Sequence, residues 1–258
     1  MPRKPRLRSP SGIYHIMVRG IGKMDLFHAR SDYEKYLASL YRIKKKAPFQ
    51  LYAYCLMKNH VHLLIEEGKE SISLTMKRLG ISYSLYYNKR YERVGHVFQG
   101  RYRSEAIKTE QQLMRCCRYI HNNPVKAGMV AFAEDYPWTS YKAYVKSFPD
   151  ELTDTNPLLL MFSSDDVESR QELKSFTERA ESDEQMFIDC AAQPISRQEL
   201  LVRVKQILEE DGININQLQT IPREQRQRIL KKVKTESGGS LRGLAEVLEV
   251  SRSSISRA

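Results

Sequence analysis

Short apolar runs and longer amphipathic stretches take turns along the first 145 residues of the chain. The short runs are rich in β-branched and aromatic residues. Two of them, QLYAYCLM and HVHLLI, are separated by only two residues, which is the spacing of a hairpin or of closely adjacent antiparallel strands. The pattern therefore predicts four strands, over residues 13–19, 50–57, 60–65 and 96–107.

Between these runs, apolar residues recur every three or four positions, which is the helical period. We expect one helix with Ser31 as its N-cap and its end at Lys46, and a second over residues 71–93. A third begins after the capping residue Thr109 and stops at Pro124, because the residue before a proline avoids the α region. The order β-α-β-β-α-β-α predicts an α+β fold, with a ferredoxin-like antiparallel sheet covered by helices.

Three segments of different character follow from these patterns. Residues 1–149 contain all the predicted strands and form the expected larger domain, with Trp138 and its aromatic neighbours closing the core. Residues 150–195 are acidic and carry a few apolar clusters, which predicts a linker with some helix. Residues 196–258 show helical periodicity and predict a small all-helical C-terminal region.

The end of this helical region has the spacing of a helix-turn-helix. Residues 241–248 form the first helix, Ser251 caps the second, and Arg252 and Ser253 would lie nearest the base edges of duplex DNA. Glu249 stands at the turn, where glycine often supplies a positive φ. A plain helical hairpin is the alternative interpretation.

Charge is distributed unevenly along the chain. The net charge is +11, and Lys and Arg outnumber Asp and Glu by 27 to 12 in residues 1–150 and by 9 to 4 in residues 221–258, whereas residues 151–220 hold 6 against 15. A basic surface can be merely solvated. However, all 15 tyrosines lie in residues 1–150 and provide faces on which unpaired bases stack, which favours a nucleic-acid partner.

Membrane insertion and secretion are not expected. No apolar run approaches the ~20 residues of a membrane span, and the basic N-terminus leads into a strand without the apolar segment of a signal peptide. We expect a cytoplasmic, nucleoid-associated protein. The four cysteines lack metal-site spacing and predict reduced structural thiols at Cys55, Cys116, Cys117 and Cys190.

The triplet His60-Val61-His62 lies in a predicted strand. Successive side chains of a strand point to opposite faces, so both imidazoles lie on one face and Val61 on the other. Two imidazoles placed in this way can start a metal site. An ordinary pair of surface or core histidines is the alternative.

A second segment, YIHNNP, supplies matching chemistry. Tyr119 and Asn123 are four residues apart and share one helix face near the helix C-terminus, where an amide oxygen could complete a coordination sphere beside a tyrosine. His121 lies on a different helix face and is interpreted as a packing or capping histidine.

Four motifs together resemble a known family. NHVHLLIE, YHIMVRG, GRYRSEAI and YIHNNPVKAGMV are similar, in order and spacing over residues 10–145, to the REP-associated tyrosine transposases. These are relatives of the single-tyrosine insertion-sequence transposases within the HUH endonucleases. The resemblance implies the HUH fold and an enzyme that nicks and joins single-stranded DNA, with REP-like hairpins as its substrate.

The resemblance also implies residue roles. His60 and His62 would be the HUH pair, Asn123 the third ligand of Mg²⁺ or Mn²⁺, and Tyr119 the nucleophile that forms a 5′-phosphotyrosine. Imidazole nitrogen would ordinarily favour Zn²⁺ over Mg²⁺, and Mn²⁺ is a compromise between nitrogen ligands and phosphate chemistry. Residues near the motifs are expected to contact phosphates, namely Arg19, Lys58, Arg101, Arg103 and Arg118.

Other functions and assembly states stay open at this point. A domesticated protein could bind such hairpins or regulate transcription without cutting, although the intact Tyr119, His60, His62 and Asn123 favour an enzyme. A relaxase or replication initiator of the wider HUH group shares the chemistry, but the YIHNNPV segment argues against it. Monomer and homodimer are both compatible with the sequence.

Overall fold

The computed structural model describes residues 9–146, 150–179, 197–218, 221–237, 241–251 and 254–255. The chain forms two compact units, Met1–Ile188 and Asp189–Ala258, and each is described by itself. Across the described residues, no helix combines the length and apolarity that a bilayer crossing requires.

The first unit is built on a four-stranded, fully antiparallel sheet with the strand order β2-β3-β1-β4. This order, with helices between the strands, confirms the predicted ferredoxin-like α+β fold. The elements are β1 (Ile13–Arg19), α1 (Arg30–Lys46), β2 (Gln50–Met57), β3 (His60–Glu66), α2 (Ile72–Arg90), β4 (Arg103–Ala106), α3 (Glu110–Lys126), α4 (Tyr141–Val145), α5 (Asn156–Leu159) and α6 (Asp166–Glu178).

The two faces of this sheet bury different side chains. The apolar face packs under α1 and α2, and its strand residues include Tyr14, Ile16, Val18, Val61, Leu63 and Ile65. The histidine face packs under α3, and its strand residues include His15, His60, His62 and Leu64. A register shift in β2 between Leu51 and Ala53 places Leu51 in the apolar core and Ala53 in the other core.

Two helix ends and one strand differ from the sequence prediction. The Ser31 cap is wrong, because α1 begins at Arg30 and the Asp32 carboxylate accepts the backbone N–H groups of His28 and Ala29. Helix α2 spans Ile72–Arg90, and the fourth strand is regular only over Arg103–Ala106. The loop before β4 keeps only a single bridge between Gly20 and Phe98.

The predicted stop at Pro124 is also wrong, since α3 continues to Lys126. Proline lacks one N–H donor, yet α3 continues past it, and the Asn123 side chain adds a bond to the carbonyl of Tyr119 at 3.0 Å. The end of the helix is closed instead by the N–H of Ala127, which bonds to the Asn123 carbonyl. Thr109 caps the start, as predicted, by accepting the N–H of Gln112.

Residues 150–179 were predicted to be a linker, but the structure places them against the sheet. Leu158, Leu159 and Leu173 join the core of the histidine face. Arg170 on α6 donates to the carbonyls of Ala143 and Tyr144. The compact unit therefore extends past residue 149, because apolar residues in α5 and α6 find a partner surface that the acidic composition did not reveal.

The second unit packs its own core from α7 (Arg197–Glu210), α8 (Arg223–Glu236) and α9 (Leu241–Leu248). Glu249 follows α9 with φ of 52°, so the turn adopts the left-handed conformation expected at this position. The Ser251 hydroxyl then accepts the N–H of Ser254, as an N-cap does. The predicted base contacts Arg252 and Ser253 lie outside the described residues.

The described cysteines are buried and unbridged. Cys55, Cys116 and Cys117 carry free thiols, and burial raises the pKa of each above its ordinary value. They pack as small apolar side chains in the core of the histidine face. Cys190 lies outside the described residues.

Candidate active site on the histidine face

Strand alternation places the predicted histidine pair as expected. His60 and His62 lie on one side of β3, and their rings are 5.0 Å apart, centroid to centroid, and nearly perpendicular. Across the ladder, His62 is the direct partner of Met17 and His60 is the partner of Arg19. Directly opposed residues share a face, so the Arg19 side chain starts beside the two imidazoles.

Helix α3 brings Tyr119 onto the same face. The Tyr119 ring contacts His62 edge-on, with 5.7 Å between centroids, and contacts His15 at 5.8 Å. Tyr119 is 5% exposed, so its phenol lies against the sheet rather than in open solvent. The structure thus unites a tyrosine and two histidines that are almost sixty residues apart in sequence.

Asn123 and Lys126 extend this arrangement along α3. Asn123 is buried and uses its amide nitrogen for the bond to the Tyr119 carbonyl, so its amide oxygen is the atom suited to a cation. The Lys126 ammonium lies over the Tyr119 ring, 5.3 Å from its centroid. Sequence reasoning missed Lys126, although its position seven residues after Tyr119 places it on the same helix face.

His15 is the other residue that sequence reasoning missed. It is fully buried, its ring stacks on His62 with 5.1 Å between centroids, and its Nε2 is 2.9 Å from His62 Nδ1. On its other side, His15 Nδ1 lies 3.9 Å from a carboxylate oxygen of Glu105 on β4. The one signal in the sequence was a lone histidine in the apolar run IYHIMVR, and its partner depends on strand register.

The two histidines of the pair each engage Nδ1. His60 Nδ1 is 2.7 Å from the side-chain oxygen of Asn59, and His62 Nδ1 faces His15. Nε2 is therefore the nitrogen of each ring that could bind a cation, and His62 Nε2 is buried without a hydrogen bond within the described part of the chain. Burial and the neighbouring His15 and His60 lower the pKa of His62 well below its ordinary value, so the ring is neutral, as a metal ligand must be.

The donor set fits a divalent cation with mixed nitrogen and oxygen ligands. Among the described residues, no cluster of three or more His, Cys, Asp or Glu side chains could hold a metal. A site here would therefore need the Asn123 amide oxygen beside the nitrogens of His60 and His62. Such a set has no thiolate, and open positions would remain for phosphate oxygens.

The predicted phosphate contacts lie in different places. Arg19 adjoins the histidines, and its Nε is buried with no hydrogen bond to any described residue. Lys58 is exposed at the β2–β3 turn, where it pairs with Asp25 at 3.0 Å. Arg103 is exposed on β4, and Arg101 is exposed in the preceding loop.

Arg118 is not brought to the site. It is 5% exposed, and its guanidinium lies over the Phe176 ring at 4.4 Å from the centroid, on α6. Arg118 therefore does not lie where a phosphate contact beside Tyr119 was predicted, because the two side chains point to different sides of α3. Helix α6, which the sequence did not predict to pack here, covers the Arg118 side.

His121 is a packing histidine, as interpreted from the sequence. It is fully buried, and its Nε2 is 2.9 Å from the Ser140 hydroxyl. Burial lowers its pKa to about 3, so it is neutral. It lies on α3 close to Tyr119 in sequence but bonds away from the histidine pair.

Comparison with known proteins shows which family this part of the chain resembles. Residues 9–123 match the family model described as "Transposase IS200 like". The match covers 115 of the 258 residues, so this part of the chain is similar to an IS200-like transposase. The matched segment contains β1 to β4 and α3 as far as Asn123, and so all four residues of the proposed catalytic and metal set.

Two individual proteins are also similar to this chain. They are a putative REP-associated tyrosine transposase of Haemophilus influenzae, with 26% identity over 40% of this chain, and the REP-associated tyrosine transposase of Escherichia coli, with 21% identity over 43%. The chain spans 66% of the length of each. A solved structure of a REP-associated tyrosine transposase bound to a REP hairpin matches with a TM-score of 0.49 and 20% identity, covering 60% of this chain and 94% of that one. The family-model match and the two relatives confirm the resemblance drawn from the motifs.

Proposed function

We propose that this protein is a metal-dependent endonuclease and strand transferase that cuts single-stranded DNA through Tyr119. The observation that carries the proposal is the packing of the Tyr119 ring against His62, with His60 beside His62 and Asn123 bonded to the Tyr119 carbonyl. The match to the IS200-like transposase model supports it, because transposases cleave and rejoin DNA. The two REP-associated relatives support a REP-type substrate, which the motif resemblance implies is a hairpin.

Tyr119 would act as a covalent nucleophile. A phenol has an ordinary pKa of about 10, so the oxygen must lose its proton as it attacks. The Tyr119 Oη–phosphorus bond forms, the bond from phosphorus to the 3′-oxygen breaks, and that oxygen leaves as a 3′-hydroxyl after taking up a proton. The result is a 5′-phosphotyrosine, whose ester conserves the energy of the phosphodiester, so a second strand's 3′-hydroxyl can displace it without ATP.

The surrounding residues would position the phosphate and the nucleophile. His60, His62 and Asn123 would hold Mg²⁺ or Mn²⁺, which, when bound, orients the scissile phosphate and offsets its developing charge. Lys126 lies over the Tyr119 ring, where its charge favours the phenolate. Arg19 starts beside His60 and has a buried nitrogen that a phosphate oxygen could accept from.

A single-stranded hairpin fits the chemistry of the chain. The first 150 residues have an excess of 15 basic over acidic residues, since 27 Lys and Arg face 12 Asp and Glu. Such a charge attracts the DNA backbone in a salt-dependent way. Glu249 follows α9 with a positive φ of 52°, and we propose that the helical C-terminal unit is a helix-turn-helix that contacts duplex DNA.

The decisive experiment looks for the covalent adduct. The full chain and its Tyr119→Phe variant would be incubated with 5′- or 3′-labelled hairpin oligonucleotides taken from beside the gene, with Mn²⁺ or with EDTA. We expect a protein–DNA adduct on denaturing gels that needs both Mn²⁺ and the tyrosine hydroxyl. The label should enter the adduct only with the strand 3′ of the cut, since Tyr119 bonds to the 5′-phosphate.

Tyr141→Phe is the matched control, because Tyr141 is a buried tyrosine of the same unit that contacts His121 rather than His62. It should leave the adduct intact. Hairpin binding without adduct or cleavage by the unaltered protein, over several flanking hairpins, would overturn the enzyme and favour a domesticated binding protein.

A further inference from the structure

A line of three side chains, two of them fully buried histidines, leads to the histidine pair from the β4 side of the sheet. Glu105 on β4 is the direct cross-strand partner of His15 on β1, and His15 lies against His62 on β3. The line therefore crosses three adjacent strands of the sheet. The chemistry proposed above does not use its first two members.

The hydrogen bond between His15 and His62 admits two proton arrangements. In one, His62 Nδ1 donates to His15 Nε2, and His62 Nε2 keeps its lone pair. In the other, His15 Nε2 donates to His62 Nδ1, so neutral His62 carries its proton on Nε2 and cannot bind a cation there. The 2.9 Å distance is compatible with both, so the surroundings decide between them.

The Glu105 carboxylate selects the first arrangement. His15 must then carry its proton on Nδ1, which lies 3.9 Å from a carboxylate oxygen of Glu105, and a negative charge at that distance favours a proton on the facing nitrogen. In the second arrangement the Nδ1 lone pair of His15 would face that negative charge, and the proton would lie on His62 Nε2 instead.

We propose that His15, oriented by Glu105, is a positioning residue that holds His62 in the Nδ1–H tautomer and so presents Nε2 as a metal ligand. His15 does not itself coordinate, because its Nε2 is occupied by His62 and its Nδ1 faces Glu105. The arrangement corresponds to the outer-shell acceptors that fix metal-binding histidines, with a second imidazole as the acceptor. The metal in this inference rests on the proposed function, whereas the tautomer of His62 can be observed in the metal-free protein.

The first test reads the tautomer directly. In the metal-free full chain labelled with ¹⁵N-histidine, long-range proton–nitrogen spectra at pH 8 distinguish the two tautomers of each ring. We expect His62 as the Nδ1–H form, and we expect His15→Leu to shift it toward Nε2–H. His62 found in the Nε2–H form in the unaltered protein would overturn the inference, whether or not the protein binds metal.

The second test reads metal affinity through the signal of free Mn²⁺ in electron paramagnetic resonance, with Mn²⁺ alone as the probe. His15→Leu should weaken binding by roughly 10- to 100-fold. His15→Gln should rescue it, because the glutamine side-chain oxygen reaches the place of Nε2 and can accept the same proton. If the His15→Leu variant does not fold, the affinity of the His15→Gln variant still tests the role of His15.

His121→Gln is the matched control, because His121 is equally buried but bonds to Ser140. It should leave Mn²⁺ affinity unchanged. Equal affinity in the unaltered protein and a folded His15→Leu variant would overturn the role of His15 while leaving the metal site intact. Failure of the unaltered protein to bind Mn²⁺ would instead count against the proposed metal, and the tautomer would still decide the inference.

Discussion

The two faces of the one sheet differ in what their buried residues do. On the apolar face, aliphatic and aromatic side chains from β1 and β3 meet α1 and α2, and they contribute stability through burial. On the histidine face, the intervening residues of the same strands include His15, His60 and His62, and the first and last of these contact Tyr119 on α3. Because successive side chains of a strand point to opposite faces, one strand can supply core residues to one face and site residues to the other.

The largest effect should come from removing the tyrosine hydroxyl on the histidine face. Tyr119→Phe should abolish the covalent adduct and strand cleavage, because no other group replaces the nucleophile. Its free energy of unfolding, from urea denaturation, should change by less than about 1.5 kcal/mol, since the ring still packs on His62. Substantial cleavage by the variant would show that the chemistry lies elsewhere.

The opposite outcome is expected from a truncation on the apolar face. Leu63 is fully buried in the core of the apolar face, although its neighbours His62 and Leu64 lie on the histidine face. Leu63→Ala should lower the free energy of unfolding by about 2–5 kcal/mol. Adduct formation per folded molecule should be retained under conditions where the variant is folded. If adduct chemistry fell as far as in Tyr119→Phe, the two faces would not be separable.

An intermediate effect is expected at Asp32, the buried carboxylate beside the apolar face. Burial alone would raise the pKa of Asp32, but hydrogen bonds from Tyr91 and from the N–H groups of Ala29 and His28 outweigh it and hold the pKa below its ordinary value. Asp32→Asn should cost about 1–3 kcal/mol at pH 7, because donors aimed at the carboxylate lose their partner.

The pH dependence of this cost has a definite sign. A carboxylate with a lowered pKa contributes stability that is fully present above its unfolded pKa of about 3.9 and is lost as the pH falls through the lower folded value. The gap between the parent protein and Asp32→Asn, from urea denaturation, should therefore narrow below about pH 4. A gap that is constant from pH 7 to pH 3 would contradict this.

The smallest effect, and a favourable one, is expected at Gly80 in the middle of α2. An added Cβ would meet only Phe98, at an ordinary contact distance of 3.9 Å. Gly80→Ala should raise the free energy of unfolding by about 0.5–1 kcal/mol, since glycine has the greater backbone entropy to lose in a helix. Gly20→Ala is the contrasting variant, because its Cβ would lie 2.1 Å from the Met24 carbonyl oxygen, and it should be destabilising.

The sequence by itself determined the features that lie within one element. Alternation along β3 placed His60 and His62 on one face, and spacing along α3 placed Asn123 beside Tyr119, because side-chain direction within a strand or helix follows from local backbone geometry. The order of strands and helices was likewise sufficient for the ferredoxin-like fold. The predicted N-cap at Ser31 was wrong because α1 begins one residue earlier, where Asp32 accepts the backbone N–H groups that precede the helix. The predicted stop at Pro124 was wrong because α3, packed on the sheet, continues to Lys126.

Tertiary structure decided the contacts between elements. The approach of His15 to His62 depends on the register of β1 against β3, which two apolar strands do not encode locally. The turning of Arg118 toward Phe176 depends on α6 packing beside α3, although the acidic composition of that region indicated a linker. Such contacts arise from the fit of whole surfaces, and this is why the residue behind the histidine pair became visible only in the folded chain.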